Sequence, residues 1–133
     1  MSTKTPNHIH GITAEWDGVE LELTMTSDAI SHFASELSRP EGGVFSIDSA
    51  FEGAKSNTKV VIEVTGGLAR VFVAFNSVKI QGGASVLAQI ARNLIGLAVL
   101  AETKGVSHMH FDHVSDNELV SCDSAGFIIS VAK

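Results

Sequence analysis

Residues 84–104 constrain the fold most. Behind Gly82-Gly83 and ahead of Gly105 runs a helical stretch whose polar residues Ser85, Gln89, Arg92 and Asn93 form one narrow stripe. The rest of its surface is Val, Leu, Ile and Ala, so nearly the whole helix requires cover, either at the centre of the fold or at a subunit interface. Glycine before and after it marks both ends. Its longest apolar run, Leu94 to Ala101, is interrupted by Gly96 and falls far short of the ~20 residues that span a bilayer, so a core helix and no membrane are expected.

Sheet must supply that cover. Val19, Leu21, Leu23 and Met25 alternate with Glu20, Glu22 and Thr24, the pattern of a strand with one solvated face. Asp17-Gly18 joins it to Ile12–Trp16 in a hairpin with a two-residue type I′ turn. Thr26 or Ser27 caps a helix carrying Ala29, Ile30, Phe33, Ala34 and Leu37, closed by Pro40. Val44–Ile47 is a short strand, and the polar stretch 52–58 a loop. Strands Lys59–Thr65 and Ala69–Phe75 turn across Gly66-Gly67, and Val78–Ile80 continues the second after a kink near Asn76-Ser77. Ser107–Asp112, Leu119–Cys122 and Phe127–Val131 close the chain as strands, the last two joined by a turn at residues 123–126.

The predicted class is α+β: a mainly antiparallel sheet with two helices packed on one face. Residues 1–133 form one domain, of which 1–10 are a short N-terminal arm, although His8-Ile9-His10 can begin a strand. Strand, helix, strand, strand occurs twice, in Val19–Val64 and Phe72–Val131, which suggests a β-α-β-β duplication. The two copies share pattern and not residues.

An apolar content of 44% against 18% charged residues is that of a globular protein. Cys122 is the single cysteine and the first residues lack an apolar stretch, so a reducing, cytoplasmic setting is expected. The net charge of −6, with nine scattered Lys and Arg, opposes nucleic-acid binding. It suits a basic protein partner, although solubility alone also explains it.

His108-Met109-His110-Phe111-Asp112-His113 matches the His-x-His-x-Asp-His string of the metallo-β-lactamase-like hydrolases. Zinc hydrolysis needs three or more fixed ligands and an open water position. Only twenty residues follow His113 and none is histidine, so the later ligands of that family have no counterpart. On a strand His108, His110 and Asp112 simply share the polar face, opposite Met109 and Phe111. A metal alternative remains if the strand of His8 and His10 neighbours that of His108 and His110, bringing four imidazoles together. No cofactor is otherwise implied. No catalytic residue is expected either: Ser46, Ser107 and Ser121 lack a nucleophile setting, Cys122 has no adjacent base, and neither glycine pair leads into a phosphate loop.

The segment Val78–Gly83, the helix with Leu87, Ile90, Ala91, Leu94 and Leu97, then Gly105-Val106-Ser107-His108-Met109-His110-Phe111-Asp112 and the closing Phe127–Ser130 resembles the thirty-second family of bacterial polymorphic-toxin immunity proteins. The likeness covers roughly the last 55 residues and its short motif is moderately specific. It implies a cytoplasmic, non-enzymatic binding protein that neutralises a cognate toxin, with His108, His110 and Asp112 on the family's strand motif. Candidate partner-binding residues are His108, His110 and Asp112 on that motif and, from the first half by their own chemistry, Trp16, Glu20 and Glu22. Trp16 is an interface anchor or a core residue, and Glu15 extends the acidic stripe. The rivals are a metal-binding or metallo-hydrolase-like protein using His8, His10, His108, His110, Asp112 and His113, and a structural homo-oligomer, at its simplest a homodimer, that buries the long helix.

Overall fold

The computed structural model describes residues 7–48, 58–74, 77–105, 108–111 and 119–132. The chain is α+β, with two helices and two mixed sheets around one core. Its elements are β1 (Asn7–Ile9), β2 (Ile12–Trp16), β3 (Glu20–Met25), α1 (Ser27–Leu37), β4 (Gly43–Ile47), β5 (Thr58–Val64), β6 (Arg70–Ala74), β7 (Ser77–Gly82), α2 (Ala84–Lys104), β8 (His108–Phe111) and β9 (Gly126–Val131).

The single sheet expected from the sequence is two. One has the order β1-β4-β5-β7-β6 and the other β2-β3-β9-β8. The hairpins β2-β3, β4-β5, β6-β7 and β8-β9 are antiparallel, whereas β1 with β4, β3 with β9 and β5 with β7 are parallel. Residues 70–82 are thus two strands folded back on each other, not one kinked strand, and β5 pairs with β7 and not across the glycine pair with β6.

The duplication is visible as topology, with one strand more per copy than expected. Hairpin β2-β3, α1 and hairpin β4-β5 form the first unit; hairpin β6-β7, α2 and hairpin β8-β9 form the second. The first hairpin of each unit joins the second hairpin of the other, so the units interlock. Backbone hydrogen bonds repeat accordingly. Thr26 N–H donates to Gly11 O (3.0 Å) where Gly83 N–H donates to Gly67 O (2.9 Å), and Ala132 N–H donates to Met25 O (2.7 Å) where Thr65 N–H donates to Gly82 O (2.8 Å). The helices break the symmetry, with 11 residues in α1 and 21 in α2.

Local chemistry explains the ends. Thr26 Oγ1 accepts from Ala29 N–H at 3.2 Å, the expected cap of α1, and α2 stops at Gly105 with φ of 73°. Between β1 and β2 the chain passes from one sheet to the other through Gly11, where a Cβ would come within 2.7 Å of Thr26 Oγ1. The β2-β3 connection has three residues, 17–19, and only begins β3 at Glu20; Val19 therefore sits in the turn, exposed, instead of facing inward.

Leu21, Leu23 and Met25, with Ile12, Ala14, Phe127, Ile129 and Phe111, line the inner face of the four-stranded sheet. Phe45, Ile47, Val60, Ile62, Val71, Val78 and Ile80 do the same for the other. The helices pack on each other and against the sheets, α1 on β1 and β3 and α2 on β9, burying Ile30, Phe33 and Leu37 of α1 and Leu87, Ile90, Leu94 and Leu97 of α2. Phe33 meets Phe45 edge-on, and Phe111 stacks on Phe127 with centroids 4.8 Å apart.

Three expectations change in detail. The start of the chain is more than an arm, since Asn7–Ile9 form an edge strand and Ile9 is buried. Leu119–Cys122 is no strand: Val120 makes one bridge, to Ala69, and Cys122 lies exposed in the following turn. The long helix is not covered all round, because Ile95, Val99 and Leu100 are exposed. By length and composition α2 is apolar enough to cross a membrane; 28% of its most apolar stretch is buried, and the helix packs against α1 and β9.

Candidate functional site

The outer face of the four-stranded sheet collects most of the residues singled out from the sequence. Across the sheet, Glu15 of β2 faces Glu22 of β3, Glu22 faces Ile128 of β9, and Ile128 faces His110 of β8. One step along, Thr13, Thr24, Ser130 and His108 form a parallel row. Strand alternation makes this necessary: the partners of these residues in the sequence, Ala14, Leu23, Ile129 and Phe111, are buried on the opposite face. His108 and His110 are exposed, with ring centroids 5.3 Å apart. Asp112 and His113 lie outside the described residues.

At the acidic end the face dips into a recess of about 160 Å³ lined by Glu15, Trp16, Asp17, Glu20, Glu22 and Ile128. Trp16 is half-buried and packs against the core while lining this recess. Glu22 Oε2 accepts a 2.6 Å hydrogen bond from Ser130 Oγ, which fixes its direction. Asp17 is committed to the turn: its Oδ1 accepts from Glu20 N–H at 2.7 Å and from Val19 N–H at 2.8 Å. Those two backbone donors, Glu20 first, hold the Asp17 carboxyl below the ordinary aspartate value of 3.8.

Glu15 and Glu22 are direct cross-strand partners, and Glu20 is the next outward residue along β3. Like charges opposed in this way destabilise a strand pair. Among the described residues no Lys or Arg forms an ion pair with any of the three; the ion pairs there join Glu36 and Glu41 to Arg39, Asp123 to Arg70, Glu63 to Lys79 and Asp48 to His8. The arrangement is a preformed recess of negative charge with an aromatic wall, suited to a guanidinium or ammonium group.

The four-imidazole site is not built as expected. His8 and His10 belong with β1, which pairs with β4, whereas His108 and His110 belong to β8, which pairs with β9 in the other sheet. The two pairs therefore do not come from neighbouring strands. His8 has acquired partners that the sequence did not reveal, Ser46 and Asp48, because a three-residue parallel pairing leaves no periodic trace. Ile128 was also missed as part of the acidic recess, since only the β3-β9 pairing carries it there. His32 lies on α1 beside a separate recess shared with His8, Ile9, Ser35 and Glu36.

Fold and site together define a class: an interlocked two-sheet domain with a repeated topology that displays carboxylates and imidazoles on one outer sheet face. No known protein family matches the chain, and no curated protein or solved structure matches it.

Proposed function

We propose that the chain is a non-enzymatic binding protein that receives a basic side chain of a protein partner in the recess formed by Glu15, Trp16, Glu20 and Glu22. The observation that carries this reading is the unneutralised Glu15–Glu22 opposition beside Glu20. Departures from local stability rules concentrate where function demands them, and an incoming arginine would relieve this one. Trp16 lines the recess, where a cation meeting its ring face gains a cation–π contact, and His108 and His110 extend the surface along the same sheet. An acidic rim also accelerates encounter with a basic partner.

The resemblance in the second half of the chain narrows the partner to a bacterial toxin with a basic surface, held inactive by direct binding in the cytoplasm. Producing the chain together with the toxin encoded beside its gene tests both levels. Wild type restores growth, and the double variant Glu20→Lys, Glu22→Lys fails to restore it while keeping the circular dichroism of the folded protein. Restoration by the double variant removes the recess from the interface, and a neighbouring gene whose product the wild type does not block removes the toxin reading. The exposed Ile95, Val99 and Leu100 favour a second reading, self-association through α2. Light scattering that shows a monomer at all concentrations eliminates it.

A further inference from the structure

A second group of side chains stands at the edge of the other sheet and is not needed for the role proposed for the acidic recess. The ligand-capable atoms of His8, His10 and Asp48 all lie within 4.8 Å of one another. His8 Nε2 is 2.9 Å from Asp48 Oδ1, and the His8 and His10 rings meet edge-on with centroids 4.4 Å apart. The fold creates this cluster by laying β1 parallel to β4 with His8 opposite Ser46, so that His10 and Asp48 both emerge just beyond the paired segment.

We infer that His8, His10 and Asp48 form a site for a first-row divalent metal ion, with zinc as the ion of choice. Two imidazoles and one carboxylate are a borderline donor set, which suits zinc and its neighbours better than calcium or magnesium. Ligand atoms about 2.0–2.2 Å from one ion stand roughly 3–3.5 Å from each other, so side chains whose ligand atoms already lie within 4.8 Å of one another close on an ion by modest shifts of His10 and of the His8–Asp48 pair. A metal-bound histidine is held by a hydrogen bond at its other ring nitrogen. His8 has that partner: its Nδ1 is 2.7 Å from Ser46 Oγ, which aims Nε2 at Asp48. Beside the cluster a recess of about 340 Å³, lined by His8, Ile9, His32, Ser35 and Glu36, leaves room for the remaining coordination positions to be filled by water.

A His8–Asp48 ion pair alone would account for two of the three groups and would not involve His10. That difference makes the site testable. Bound zinc would pin the short strand β1 to the end of β4, because its ligands come from both, and so couple metal binding to stability.

The full chain, stripped with a chelator, is titrated with zinc alone against a colorimetric competitor at neutral pH. One equivalent binds with a dissociation constant of about 1 μM or tighter, and zinc raises the thermal midpoint. His10→Ala, whose side chain is exposed, and Asp48→Asn each weaken binding at least about tenfold and abolish the thermal shift, and Ser46→Ala weakens it by about tenfold to a hundredfold. The double variant His108→Ala, His110→Ala binds as wild type. The inference is overturned if wild type fails to compete for zinc, if His10→Ala binds as tightly as wild type, or if binding follows His108 and His110 instead.

Discussion

Replacing Glu15 with lysine should make the protein more stable while impairing the interaction proposed for it. Glu15 is exposed and directly opposite Glu22 across the β2-β3 pair. With the two carboxylates about 6 Å apart in a water-like dielectric, their repulsion is roughly 0.7 kcal/mol before screening. Salt at 0.15 M, with a Debye length of about 8 Å, leaves roughly half of that. Reversing one charge turns the repulsion into an attraction of similar size, a swing of about 0.6–0.7 kcal/mol in physiological salt and more than 1 kcal/mol at low salt. Neighbouring Glu20 adds to the swing in the same direction. Urea unfolding of wild type and Glu15→Lys at about 10 mM and 1 M ionic strength measures it: the variant gains most at low salt and the gain shrinks toward zero at high salt. A variant that is less stable than wild type by 0.5 kcal/mol or more, or whose difference ignores salt, would refute the claim that these carboxylates oppose each other without an internal cation.

Gly42→Ala should cost about 3 kcal/mol or more, since φ is +72° and a Cβ there would stand 2.4 Å from the Ile62 carbonyl oxygen of β5. Gly18→Ala, with φ of +96° but nothing within 4 Å, should cost only about 1 kcal/mol; equal losses in chemical denaturation would show that the close approach to β5 does not matter. Asp17 is held below its ordinary value by the Glu20 and Val19 backbone donors, so its contribution to the hairpin is complete above an unfolded value near 3.8 and disappears as pH falls through the lower folded value. Asp17→Ala should therefore destabilise at neutral pH and cease to do so at pH ~2, and a constant difference across that interval would assign the loss to something other than the ionised carboxylate. Asp123 follows the same sign, with the Ser121 hydroxyl as the leading cause and Arg70 adding to it.

The interlocked arrangement explains how one sheet face comes to hold residues from both halves of the chain. Had each unit paired only with itself, Glu22 and Ile128 would sit in different sheets. Exchange of hairpins places β3 beside β9, so Glu22 reaches Ser130 across a separation of 108 residues and the imidazoles of β8 join the carboxylates of β2 and β3 on one surface. The β1–β4 pairing, at the edge of the other sheet, puts His8 beside Asp48.

Much of this was written locally. The alternation of Leu21, Leu23 and Met25 with Glu20, Glu22 and Thr24 assigned inward and outward faces correctly, because side-chain direction in a strand depends on position alone. Thr26, Gly105 and the spacing of Ile30, Phe33 and Leu37 likewise placed both helices, whose hydrogen bonds and caps close within a few residues. Periodicity carries no address for a strand's partner, however. The parallel neighbours β3-β9 and β5-β7, the division into two sheets, and the separation of β6 from β7 arose only when the two hydrophobic faces had to be buried together. The acidic face was therefore half legible in residues 15–22, whereas Ile128 within it, the distance between the two histidine pairs, and the company of His8, Ser46 and Asp48 belong to long-range pairing, which no local pattern encodes.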